Sequence, residues 1–213
     1  MELSCAICRV RACSQEPGSK PYPAFCAMSQ EAEALEQARR IYEDEEIRRL
    51  ALASAQTEAD GYPDHSRIED VMGFARRIGA MHLGIATCVG LLQESRMLAE
   101  ILEANGFRVS SVCCKVGSIP KEEVGVADEE KIHPGNYEAL CNPIAQALLL
   151  NAAGTQLNIV VGLCVGHDSL FFKHSEAPAT VLIAKDRRTG HNPAAALYTC
   201  HSYYRARLRP DQG

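Results

Sequence analysis

From residue 81 onward the apolar positions come in short unbroken runs, each followed by a polar, helix-spaced stretch. His82–Cys88 (HLGIATC), Phe107–Cys114 (FRVSSVCC), Leu157–Cys164 (LNIVVGLC) and Thr180–Lys185 (TVLIAK) have the length of strands. They are continuous rather than alternating, the pattern of strands covered on both faces. Between them the periodicity predicts helices over Leu91–Asn105, with Gly106 as a left-handed cap, and over Asn142–Ala153, with Pro143 in the first turn. A short helix starts at Asp168–Phe172, and a last helical turn covers Pro193–Tyr198. Residues 117–138 are polar, contain Pro120 and Pro134, and read as an excursion loop. Strand and helix in alternation predict a parallel sheet with right-handed crossovers.

The first third is patterned differently. Pro17, Gly18, Pro21 and Pro23 break up residues 1–28. Over 29–59, Leu35, Ala38, Ile41, Tyr42, Ile47, Leu50 and Ala51 recur at roughly helical spacing and predict one long helix. Ser29 is its expected cap, and the runs Glu43–Glu46 and Arg48-Arg49 its solvated face. Gly61-Tyr62-Pro63 ends it, and Ser66 opens a shorter helix near 67–78. The expected class is therefore α/β: a small open, mainly parallel four-stranded sheet with flanking helices, preceded by a Cys-rich knuckle and a long helix. The boundaries drawn are a knuckle at 1–28, a helical segment at 29–80 packing on the body, an α/β domain at 81–200 and a basic tail at 201–213.

Composition narrows the chemistry. A net charge of −5 and the absence of tryptophan argue against a nucleic-acid binder. No basic-then-apolar leader is visible at the N-terminus, and no run gives about 18 clean apolar residues, so neither export nor a membrane span is expected. A cytosolic location follows, where structural disulfides are rare. Ten cysteines in such a chain point to metal ligation or thiol chemistry. Cys200 and one of the pair Cys113–Cys114 are read simply as small apolar side chains.

Four of the ten crowd the front: Cys5, Cys8, Cys13 and Cys26, spaced C-x2-C-x4-C-x12-C. A segment with almost no core of its own needs a staple, and four thiolates suit tetrahedral zinc or a [4Fe–4S] cluster. Only one C-x2-C pair is present, whereas zinc knuckles usually carry two. The reading therefore leans to a [4Fe–4S] cluster, with zinc as the alternative.

A second group lies in the body. Cys88, Cys114 and Cys164 end three expected strands, and Cys141 precedes the Asn142-Pro143 helix start. Ligands of open α/β sheets bind beyond the carboxyl ends of the strands, so these thiols are expected to share one edge and to hold a second cluster or metal. Lys115, His167, Asp168, Lys185, Asp186, Arg187 and His191 are expected at the same edge.

The segments CVGLLQE (88–94), CCKVG (113–117), CNPIAQALLLN (141–151), GLCVGHDSLFF (162–172) and KDRRTGHNPAAALY (185–198) resemble the cysteine-rich prokaryotic family called domain of unknown function 1847. The resemblance spans most of the chain, the front cysteines included. It implies a metal-binding role and a single family-wide domain, and supplies no reaction.

Three functions follow as expectations. The first is an iron–sulfur protein whose body site, held by Cys88, Cys114, Cys141 and Cys164 or by three of them, serves redox or sulfur-related chemistry on a small molecule or with a redox partner; His167, Lys185 and Asp186 would handle protons or hold an anion. The second is a zinc-stapled, non-enzymatic binding or sensing module. The third is a thiol hydrolase, because Gly162-Leu163-Cys164-Val165-Gly166 has the form of a nucleophile elbow. Its catalytic set would be Cys164, His167, Asp186 and His191.

Overall fold

The computed structural model describes residues 3–210. The chain divides into two compact units, Met1–Tyr62 and Pro63–Gly213.

In the first unit, single 3-10 turns at Cys5–Ile7 and Ala12–Ser14 precede three helices. These are α1 (Ala27–Gln30), α2 (Ala32–Ile41) and α3 (Glu45–Gly61). The single helix expected over 29–59 is thus broken twice. The main break has a clear cause. The Asp44 carboxylate accepts the N–H groups of Glu46 and Ile47, at 3.0 and 3.1 Å, so it caps α3 and does not belong to a continuous solvated face. A short acidic side chain competes for backbone donors in this way and starts a new helix where helical periodicity alone runs on. Ser29 lies inside α1 and caps nothing; Cys26 occupies the N-cap position there.

The second unit opens with α4 (Arg67–Arg77), which starts where the sequence places it. Ser66 Oγ accepts from the Glu69 N–H, and Glu69 accepts from the Ser66 N–H at 2.7 Å, forming a capping box. Four strands follow: β1 (His82–Thr87), β2 (Arg108–Cys113), β3 (Leu157–Val161) and β4 (Ala179–Ile183). They form one all-parallel sheet in the order β2-β1-β3-β4, as the alternation predicts. The linking helices are α5 (Leu92–Ala104), α6 (Pro143–Ala152) and α7 (His167–His174); α8 (Ala194–Tyr198) and α9 (Arg205–Leu208) close the chain.

The central strands β1 and β3 are buried throughout, whereas β2 and β4 are the partly covered edges. Register between the central pair is matched by a steric fit. Gly84 lies opposite Asn158, and a Cβ on Gly84 would fall 2.0 Å from Asn158 Oδ1. The missing side chain makes room for a fully buried amide, which accepts from Thr155 Oγ1 and donates to Ser175 Oγ, each at 2.8 Å. A register that put any side chain opposite Asn158 would drive it into that amide.

The strands stop earlier than their apolar runs. β3 ends at Val161 because Gly162 turns with φ +68°, and β4 ends at Ile183. Cys88 and Cys114 therefore lie one residue beyond their strands, and Cys164 lies in the loop before α7. The excursion at 117–138 is a loop with two 3-10 turns, closed at its base by a bridge between Pro120 and Ala139. Buried Lys131 ties it together through ion pairs to Glu122 and Asp128, and Lys121 pairs with Glu138. Among the described residues no helix is long and apolar enough to cross a membrane.

Candidate functional site

Two neighbouring strands send the chain in opposite directions: β1 leads to β2 on one side, and β3 leads to β4 on the other. The carboxyl edge above such a switch is where open parallel sheets take ligands. Here Cys88 stands at the end of β1, and Cys164 follows the end of β3. Cys114 follows β2, and Cys141 arrives from the far side of the excursion loop, one residue before the N-cap of α6.

Cys114 is the hub. It is buried, and its thiol adjoins those of both Cys88 and Cys141. Its N–H donates to the Thr87 carbonyl at 2.8 Å, and its own carbonyl accepts from the Asn142 N–H at 2.7 Å. The Val89 N–H points at its sulfur, 3.2 Å away. Cys114, not Cys113, is thus the member of the pair that faces the site. Gln146 of α6, fully buried, donates to the Thr87 and Val112 carbonyls at 3.1 and 2.7 Å and ties the helix to the ends of β1 and β2. Asn142 caps α6 by accepting from the Ala145 N–H at 3.0 Å.

Each outer thiol has a cation of its own. Lys185 lies beside Cys88 over the bare backbone of Gly90, where an added Cβ would be 3.3 Å from Lys185 Nζ and 4.0 Å from Cys88 Sγ. Lys115, whose ammonium also donates to the Ala139 carbonyl, lies beside Cys141, with His167 near. Arg187 Nη2 donates to Cys164 Sγ at 3.6 Å, and its charge also acts on Cys88 and Cys141. None of the ion pairs among the described residues involves Lys115, Lys185 or Arg187.

This arrangement divides the protons unequally. The Cys114 S–H, then the Gly90 N–H and Lys185 for Cys88, and Lys115 with His167 for Cys141, hold the two thiols down to about 5, from an ordinary 9.0, against the upward pull of burial. Cys114 is pushed far up by its two thiol neighbours and by burial, so it keeps its proton. Flanking sulfurs that ionise first around a protonated hub follow directly from like charges crowded together with cations outside them.

The remaining candidates separate. His167 begins α7, and its N–H donates to the Cys164 carbonyl at 2.9 Å. The Asp186 carboxylate is occupied by the N–H groups of Arg188 and Thr189, while His191 Nδ1 accepts from the Asp186 N–H at 3.1 Å. Asp186 and His191 thus form a closed turn of their own. No contact joins either side chain to Cys164 among the described interactions; the sulfur's partner is Arg187. In the first unit Cys5 and Cys13 are exposed, Cys8 is half-buried and Cys26 is buried. Among the described residues no group of three or more His, Cys, Asp or Glu side chains is arranged to hold a metal ion, in the front arm or in the body.

Gln146, Val89 and Gly90 were not singled out by sequence reasoning. Gln146 leaves a signal, a lone amide in the apolar helix sequence PIAQALLL; the other two act through backbone and leave none.

Fold and site together define a cysteine-rich parallel α/β protein with a thiol hub at its topological switch. The chain belongs to the family described as "Protein of unknown function (DUF1847)", whose model matches residues 26–182. That match covers most of the chain, as the resemblance read from the sequence implies; Cys5, Cys8, Cys13, Lys185 and Arg187 lie outside the matched residues. An uncharacterised protein of Methanocaldococcus jannaschii is 47% identical over 167 residues, covering 78% of this chain and 83% of its own. No solved structure matches the chain.

Proposed function

We propose that this is a metal-binding protein whose body centre is built on Cys88, Cys114 and Cys141, with Cys164 at its rim, and that the centre is a [4Fe–4S] cluster. The observation that carries the reading is the hub itself: the Cys114 thiol in contact with Cys88 and with Cys141, soft donors from three segments distant in the chain that an ion would draw into a ligand set. Thiolate oxygen-poor donor sets of this kind select iron–sulfur clusters, zinc or copper(I) over hard cations. The surroundings favour the cluster. Sulfurs bound to a cluster accumulate negative charge and are tuned by N–H···S hydrogen bonds. Val89 supplies such a bond to Cys114, Arg187 supplies one to Cys164, and the three cations stand against the thiols without carboxylate partners of their own.

Metal uptake would displace the thiol protons, so two sulfurs that ionise early make loading easier at neutral pH. The cluster, when bound, supplies one-electron chemistry; the chain's own residues hold it, screen its charge and limit access to it. The front tetrad Cys5, Cys8, Cys13 and Cys26 is proposed to take an ion of its own, a [4Fe–4S] cluster or zinc. Its support is the spacing of four free cysteines in a proline-rich arm with little core of its own.

The test is anaerobic purification of the full chain, with iron, zinc and acid-labile sulfide counted per chain and the visible spectrum recorded. Iron and sulfide are expected, falling in Cys114→Ala for the body and in Cys8→Ala for the front arm. Zinc alone, lost with the same variants, turns the reading to a zinc-stapled module. A wild-type protein free of iron and zinc overturns it.

A further inference from the structure

Of the site thiols, Cys164 is set apart. Cys88, Cys114 and Cys141 adjoin one another, whereas the Cys164 sulfur has the Arg187 guanidinium at 3.6 Å as its partner. It is half-buried in a loop that surfaces at once: Val165 is 93% exposed, Gly166 is exposed, and Arg187 itself is exposed. The Lys185 stem passes Gly162, two residues before Cys164, and its ammonium lies beside Cys88. The Cys164 thiol therefore has Arg187 as its direct partner, with Lys185 as a second cation on the same sheet edge, and no ion pair among the described residues engages either cation.

We propose that Cys164 accepts sulfur from a small sulfane-sulfur anion of the thiosulfate class, bound by Arg187 and Lys185. The proposal deepens the reading above and rests on the same thiol-lined site, but not on the identity of its metal. Three features select the ligand. The cations call for an anion. The soft, polarisable nucleophile calls for a soft electrophilic atom, which sulfane sulfur provides and a carboxylate or phosphate does not. The Asp186–His191 turn is closed on itself, with no described bond from either side chain to the Cys164 sulfur, and attack on sulfane sulfur needs no proton taken from the substrate.

The step balances without an oxidant. The Cys164 thiolate attacks the outer sulfur of thiosulfate, a new S–S bond forms, and the old S–S bond breaks with its electron pair leaving on sulfite. The enzyme keeps one sulfur as a persulfide anion and releases a sulfite dianion, so charge is conserved. The guanidinium that faces the thiolate also faces the persulfide, which carries the same charge one atom further out.

The experiment uses the full chain, purified anaerobically and treated with sodium thiosulfate. Intact mass and alkylation mapping are read together with metal content. The expected result is a gain of one sulfur, mapped to Cys164, with sulfite released in equal amount. Cys164→Ser should abolish the gain. Arg187→Ala, which leaves the sulfur in place, should slow it at least tenfold and raise the half-saturating thiosulfate concentration, while Arg187→Lys recovers part of the loss. Metal per chain is counted in both Arg187 variants, and the labelling rates are compared at matched metal content. No gain in the wild type, a gain that persists in Cys164→Ser, or full-rate labelling of Arg187→Ala overturns the proposal. Labelling of a protein that holds no iron or zinc sinks the metal reading and leaves this one standing; a metal-loaded protein that takes no sulfur does the reverse.

Discussion

The main-chain N–H of Val89 points at the sulfur of Cys114 from 3.2 Å, across 25 residues of chain. The bond exists because β1 and β2 run parallel and in register, with Thr87 opposite Cys113, so both chains leave the sheet at the same level. One residue later each places a cysteine at the rim. The hub is thus a product of strand pairing, and its behaviour can be perturbed one residue at a time.

Removal of the hub thiol should undo the acidity of its neighbours. In wild-type protein freed of metal with a chelator, thiolate absorbance should reveal two thiols titrating near 5, those of Cys88 and Cys141. In Cys114→Ala both should move upward, because the Cys114 S–H is the main group that stabilises each thiolate. Cys113→Ala should leave them in place. Unchanged titration in Cys114→Ala would show that the lysines alone set the acidity.

The same groups make a prediction for stability against pH. Cys88 and Cys141 ionise more easily in the folded state than in the unfolded chain, so the stability they contribute is complete above about 9 and is lost as pH falls toward about 5. Cys114 is shifted the other way; its contribution is present below 9 and is lost as pH rises beyond it. The metal-free protein should therefore gain resistance to urea from pH 5 toward pH 9 and lose it again above. In Cys88→Ala the slope of the rising limb should shrink. Urea midpoints at a series of pH values measure both.

Gly84→Ala tests the central register. Its new Cβ would sit 2.0 Å from Asn158 Oδ1 and 3.1 Å from Leu150 Cδ1. The buried amide cannot withdraw without giving up Thr155 or Ser175. Overpacking of this kind typically costs about 1–3 kcal/mol, readable as a lower urea midpoint at unchanged slope. A neutral result would mean that the Asn158 amide can move aside without losing its bonds to Thr155 and Ser175.

The excursion loop should depend on Glu138. Its carboxyl is held down to about 2, first by the Lys121 ammonium and then by the His133 and Ile132 N–H groups. Its folded value lies below the unfolded one, so its contribution is present above 4.5 and is lost as pH falls toward 2. Glu138→Gln keeps the shape and removes the charge. It should speed amide hydrogen exchange over 118–138 at neutral pH while β1 and β3 stay protected. Equal exchange in both proteins would leave the loop's order to Lys131 alone.

Much of the fold was legible because it rests on local signals. The four apolar runs announced the strands, Ser66 and Glu69 announced α4, and Asn142-Pro143 announced α6. Where the reading failed, a side chain had overridden the periodicity: Asp44 took two backbone donors and split the long helix. Strand ends were overrun for a related reason. Cys88, Cys114 and the residues from Gly162 to Cys164 are as apolar as the strands they follow, and only loss of ladder bonding or a positive φ marks where pairing stops.

The site was legible in composition but not in arrangement. Cysteines and cations at strand ends could be counted along the chain. Which of Cys113 and Cys114 turns inward, which cation meets which thiol, and that Cys164 stands apart with Arg187 could not. The sequence by itself determined the parallel α/β class and the residues stocked at the carboxyl edge, since both follow from burial patterns repeated within a few residues. Only the tertiary structure decided their grouping into a hub and three cation pairs. That grouping depends on the register between strands far apart in sequence, and a one-residue slip in register turns every side chain to the opposite face.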